Sequence, residues 1–214
     1  MVAITAYCHC LLQLNTDMRP LWLSWLTLAG FTLAFLILGN SEFLLYAVTL
    51  SILIALVQWS NRRLRYPAGV LWCFWLWLVM HMCGGFVHIH GVRLYDVILV
   101  PLVGAPYHIL RYDQVVHAFC YFALGGLLKT IVTALVAPGT SRYGIALLTL
   151  LTALGVGAVN EIIEFGAVAA FGSEGVGDYY NNALDNVFNA IGALAALAWR
   201  VPRQEGGSSS SSWQ

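Results

Sequence analysis

The sequence predicts an all-α, polytopic bundle of about six transmembrane helices, and three observations predict it. Of the 214 residues, 60% are hydrophobic and 9% charged, whereas a soluble domain carries about 25% charged residues. Six apolar runs approach the roughly 20 residues that cross a bilayer: Pro20–Leu38, Phe43–Trp59, Pro67–Phe86, Asp113–Val136, Tyr143–Phe171 and Ala183–Trp199. The eight tryptophans include several near the ends of these runs, where an interfacial belt forms. Net charge is zero, so nothing points to nucleic acid.

Residues 1–19 read as an N-terminal segment, without the basic region and cleavage site of a signal peptide. Its Cys8-His9-Cys10 is too short a pattern to indicate metal, and the other cysteines, Cys73, Cys83 and Cys120, add no regular framework. Residues 20–200 form one transmembrane domain. Gly39-Asn40-Ser41 makes a tight turn between the first two spans. Between spans three and four, His88–Tyr112 contains the apolar run Val97–Val103, too short to cross and broken by Pro101, so a re-entrant or interfacial segment is expected. The fifth run is long enough to tilt or to leave the bilayer. A Gly-rich loop, Gly172–Asn182, leads to the sixth. Residues 201–214 are a serine-rich tail, disordered by composition.

Basic residues set the orientation. Arg19, the group Arg62, Arg63 and Arg65, Arg142, and the pair Arg200 and Arg203 fall on one side of six spans; Arg93 and Arg111 fall on the other. The positive-inside rule then places both termini in the cytoplasm.

The chain is organised around Val159–Phe165, where Glu161, Glu164 and Asn160 interrupt an apolar helix. An acid at the centre of a membrane helix costs about 2.5–3.5 kcal/mol on insertion scales. Two acids three residues apart share a face, so that face needs polar partners, water or a cation. The neighbouring spans offer them at helical spacing: His81, Gly84, Gly85 and His88 in span three; Asp113, His117, Cys120 and Tyr121 in span four; Gly157, Asn160, Glu161 and Glu164 in span five; Asn182, Asp185, Asn186 and Asn189 in span six. Spans one and two carry no such stripe. Given the orientation, all four stripes reach the extracytoplasmic half, which predicts one outward-facing polar pocket. Some of these groups, Asn186, Asn189 and Tyr121 above all, also suit interhelical hydrogen bonding, worth about 0.6 kcal/mol each.

Asp113-Gln-Val-Val-His117-Ala-Phe-Cys-Tyr121, Glu161-Ile-Ile-Glu164, Gly177-Asp178 and Asp185-Asn-Val-Phe-Asn189-Ala-Ile-Gly192 together resemble the pattern of the YjdF-like bacterial inner-membrane family. They also resemble the broader VanZ-like group. The chain departs from both: Tyr179–Asn182 stands where YjdF-like chains show an acid and a Trp, and Glu164 where VanZ-like chains often carry Gln. The resemblance implies a bacterial inner-membrane location and the helical arrangement, and no reaction.

Three functions compete. An enzyme-like site would use Glu161, Glu164 and His117 as ligands or general acid and base, with Asp113 orienting His117 and Asp185 completing the set. A divalent metal is its candidate cofactor, with His81, His117, Glu161 and Glu164 as ligands and Tyr121, Asn160, Asp178 and Asn189 behind them. Its substrate would be a lipid or a lipid-linked cell-envelope compound. His88-Ile-His90 adds two incidental histidines. Neither H-E-x-x-H nor G-x-S-x-G is present. The second function is a transporter-like binder of small molecules, ions or protons. It is disfavoured by the lack of internal repeats and by the one-sided pocket, Lys129 being free to snorkel. The third is a structural membrane subunit without catalysis.

Overall fold

The computed structural model describes residues 17–39, 42–171 and 179–199. Cys8-His9-Cys10, Asp178, Arg200, Arg203 and the serine-rich tail lie outside the described residues. Among the described residues six long helices are formed: α1 (Arg19–Ile37), α2 (Glu42–Leu64), α3 (Ala68–Phe86), α4 (Tyr112–Leu135), α5 (Arg142–Phe171) and α6 (Tyr179–Ala198). Local signals set their ends. Pro20 opens α1, where its missing N–H costs nothing. Gly39 closes it at φ +69°. Ser141 caps α5 by accepting the Gly144 N–H at 3.1 Å. At the start of α4 the buried Gln114 side chain reaches back to the Arg111 N–H at 3.1 Å, fixing the turn that carries Asp113.

Among the described residues, α1, α3, α4 and residues 142–166 of α5 are long and apolar enough to cross a membrane. The helices α2 and α6 are two-faced. Val48, Ile52, Leu56 and Trp59 of α2, and Val187, Ile191 and Leu194 of α6, are exposed apolar groups on their outer sides. Their inner sides carry Asn61, and Asp185 and Asn189, all buried. On α5, Val159, Ile162, Ile163 and Phe165 are likewise exposed. The pattern suits a lipid solvent rather than water.

The main core lies between α1, α2, α3 and α4, around Leu21, Ile54, Leu71, Leu78 and Met82. The closest helix pair is α4 and α6. A Cβ on Gly125 would lie 2.7 Å from the Ala196 Cβ, and one on Gly192 would enter the backbone carbonyl of Ala118. This seam of small residues lets two membrane helices touch backbone to backbone.

The segment between α3 and α4, expected to be re-entrant or interfacial, takes extended structure. It folds into two antiparallel hairpins, β1 (His88–Ile89) with β2 (Val92–Arg93), and β3 (Ile98–Val103) with β4 (Ile109–Arg111). His90 and Gly91 both take positive φ (51° and 80°), the geometry of a two-residue hairpin turn. Val97–Val103 is rich in β-branched residues, and Pro101 is tolerated in a two-stranded ribbon with an open edge. A short 3₁₀ turn, Leu94–Asp96, links the hairpins and inserts Tyr95 into the bundle.

Candidate functional site

The hairpin end of the bundle encloses a cavity of about 220 Å³. Its polar wall is built from Asp113, His117 and Tyr121 on α4, Asn160 and Glu164 on α5, and Asn181 and Asp185 on α6. The opposite wall comes from α2 and α3, through Tyr46, Thr49, Leu50, Leu53, Trp77 and His81. Arg93 and Arg111 stand at the rim.

The centre is the meeting of Asp113, His117 and Asp185. One ligand atom of each lies within 4.8 Å of the others. Helical spacing puts Asp113 and His117 on one face of α4, and the Gly192–Ala118 contact presses α6 onto that face, bringing Asp185 across. The Nδ1 of His117 lies 3.1 Å from the Asn189 Oδ1. An amide oxygen only accepts, so Nδ1 carries a proton and Nε2 points the other way. There it meets the Asp113 Oδ1 at 3.6 Å and the Asp185 Oδ2 at 3.9 Å. Both distances are too long for a hydrogen bond.

Asp185 is 1% exposed. Its Oδ2 accepts from the Asn181 Nδ2 at 2.8 Å, and its Oδ1 is buried with no hydrogen-bond partner among the described residues. Asn181 also reaches the Asp113 Oδ2 at 3.4 Å and receives Arg111 Nη1 at 3.4 Å. A buried carboxyl oxygen without a hydrogen-bond partner is costly as it stands. A cation about 2.0–2.4 Å from each ligand would satisfy all three groups at once.

Several expectations change. His117 is the one member of the expected ligand set His81, His117, Glu161 and Glu164 that belongs to the described three-residue group. His81 lines the cavity, but its Nδ1 is 2.6 Å from the Tyr95 hydroxyl, which also donates to the His81 carbonyl at 2.8 Å. Burial pushes the Tyr95 phenol well above its ordinary pKa, so it stays neutral. Glu164 lines the cavity and accepts from Asn160 Nδ2 at 2.8 Å. Glu161 is not among the lining residues, and both its oxygens are buried without a hydrogen-bond partner among the described residues. Asn189, rather than Asp113, orients His117. His88 and His90 are exposed in the first hairpin, outside the cavity wall. Gly84 faces the Tyr95 ring, 2.6 Å from where its Cβ would be.

The polar stripes do not reveal Arg93, Arg111, Tyr95, Asn181 or the whole α2 wall. One signal for that wall does lie in the chain: Tyr46, Thr49, Leu50 and Leu53 follow the i, i+3, i+4, i+7 spacing of one helix face.

Fold and site together define a helical membrane protein with a polar, carboxylate–imidazole cavity at one end of its bundle. The chain belongs to the family of predicted membrane proteins called DUF2238, whose model matches residues 19–205. No curated protein and no solved structure matches it.

Proposed function

We propose that Asp113, His117 and Asp185 hold one divalent cation, and that the cavity is the active site of a membrane enzyme acting on a lipid or lipid-linked substrate. The observation that carries this reading is His117. Its Nδ1 is held by an amide oxygen while its Nε2 faces two carboxylates beyond hydrogen-bonding range. Metal-bound histidines are oriented this way, the second nitrogen donating to a carbonyl or carboxylate. A protonated imidazole sharing its proton with these acids would draw one of them closer. The cation would polarise a substrate oxygen or lower the pKa of a bound water. Glu164, in the same cavity, is the general acid or base of this reading.

Elemental analysis and Mn²⁺ titration of the purified full-length protein test it. One cation per chain is expected, and fewer than about one in ten chains loaded at saturation overturns the reading. An Asn189→Leu variant should weaken cation affinity by about 10–100-fold, the usual effect of losing the group that orients a ligand; calorimetric titration reads it.

The spacings Asp113–His117 and Asp185–Asn189 support placing the chain among YjdF-like proteins of the bacterial inner membrane. The arginine distribution supports six crossings, with the cavity facing outward and both termini in the cytoplasm. A fluorescent protein fused at the C-terminus should therefore fluoresce, and a periplasmic phosphatase fused there should be inactive.

A further inference from the structure

We infer that the ligand of this cavity is a phosphate-bearing lipid, entering sideways between α2 and α5 with its phosphate held by Arg111. The inference rests on the cation reading, because Asp113 and Asp185 would repel a phosphate unless a cation covered them.

Three observations carry it. First, both walls that define the route belong to helices that do not pack together. The cavity is lined by Tyr46, Leu50 and Leu53 of α2 and by Asn160 and Glu164 of α5, yet no substantial packing joins α2 to α5 among the described residues. Among the described residues, no helix therefore closes the bundle on that side. Second, the α2 wall is largely apolar, with Leu50 and Leu53 beside the single hydroxyl of Thr49 and the Tyr46 ring. Leu53 lies two helical turns from Tyr46, about 10 Å along the axis, so an acyl or prenyl chain would have a continuous surface beside the polar centre. Trp77 of α3 extends it.

Third, two arginines, Arg93 and Arg111, line the cavity. The Nε of Arg93 is held by Asp96 at 3.1 Å. Arg111 makes a 3.4 Å contact to the Asn181 Oδ1, a bond that a charged oxygen ligand would exceed in strength. Asn181 in turn bonds Asp185, so Arg111 stands one side chain away from the cation ligands. A guanidinium and a cation converging on one group is the arrangement that stabilises a phosphoryl oxygen. Among the described residues, Glu164 is the one cavity carboxylate outside both the cation group and the Arg93–Asp96 pair. It faces the incoming phosphate as the group able to carry or release a proton.

The test uses the full-length protein in detergent with saturating Mn²⁺. Its probes are dihexanoyl phosphatidic acid, inorganic phosphate and dihexanoyl glycerol. Phosphatidic acid should bind at least about tenfold tighter than either of the others. Arg111→Gln should lose about tenfold or more in phosphatidic acid affinity while Mn²⁺ binding, which reports that the fold is intact, stays at the wild-type value. Arg111→Lys should recover part of the loss. Leu53→Trp should weaken phosphatidic acid and leave inorganic phosphate unchanged. Equal binding of the neutral lipid, inorganic phosphate bound as tightly as the lipid, or wild-type lipid affinity in Arg111→Gln would each overturn the inference. Arg111-dependent lipid binding without any Mn²⁺ binding would sink the cation reading and, with it, the premise this inference takes from it. Mn²⁺ binding without any Arg111-dependent lipid binding would sink this inference alone.

Discussion

An Asp185→Asn variant should lose cation affinity by at least about 100-fold, more than the loss of an orienting neighbour costs. Asn keeps the shape and can keep a hydrogen bond to Asn181, but it removes the charge at the most buried of the three ligands. Stability should respond with opposite signs in two conditions. Without cation, wild type holds two carboxyl groups around an imidazole in a low-dielectric setting, and the Asp185 Oδ1 has no hydrogen-bond partner among the described residues. Neutralising Asp185 relieves that cost, so in chelator the variant should melt above wild type. With cation at about 100 times its dissociation constant, wild type gains about 2.7 kcal/mol. For a chain of this size that is about 5–10 °C in melting temperature, and the variant should gain almost none. Thermal melts of both proteins, with chelator and with Mn²⁺, read the crossing. Parallel curves in the two conditions would mean that the acids are held by the protein alone.

Gly192→Ala should produce the second large effect, on the fold and the site together. The added methyl would enter the Ala118 carbonyl, a backbone atom that cannot rotate aside, so α4 and α6 must separate. Overpacking of this kind costs about 1–3 kcal/mol, and here it falls on the closest helix pair of the bundle. Asp185 and Asn189 lie seven and three residues before Gly192, on the same buried face. Separation there would lengthen the 3.1 Å contact from Asn189 to His117. Gly192→Ala should therefore lower melting temperature in chelator and weaken Mn²⁺ binding, whereas Asp185→Asn weakens binding and raises stability in chelator. Measuring both quantities for both variants separates a ligand from a packing residue. A Gly192→Ala protein with wild-type melting and binding would show that α4 and α6 do not meet at this seam.

Much of the helical framework is legible in the chain. Apolar runs, the polar stripes and the Gly39 turn act locally, through helical period and backbone preference, so residue spacing carries them. That is why spacing by itself places Asp113 with His117, and Asp185 with Asn189, on shared faces. The hairpin at Val97–Val103 is harder. A short apolar run broken by proline suits an interfacial stretch as well as an edge strand, and only its pairing with Ile109–Arg111 decides. Arg93 and Arg111 look like loop charges along the chain, and it is the hairpins that carry them to the rim.

The sequence alone determined that this is a bundle of lipid-facing helices with ionisable groups concentrated on the inner faces of its last four. Tertiary structure alone decided which of those groups meet. Glu161 and Glu164 are the most conspicuous acids in the chain, yet the three-group cluster is Asp113, His117 and Asp185. The reason is that helical period fixes which residues share a face, while the rotation and closeness of two helices depend on what touches between them. Here a glycine of α6 against a carbonyl of α4 sets that closeness, and with it the position of the one carboxylate that completes the site.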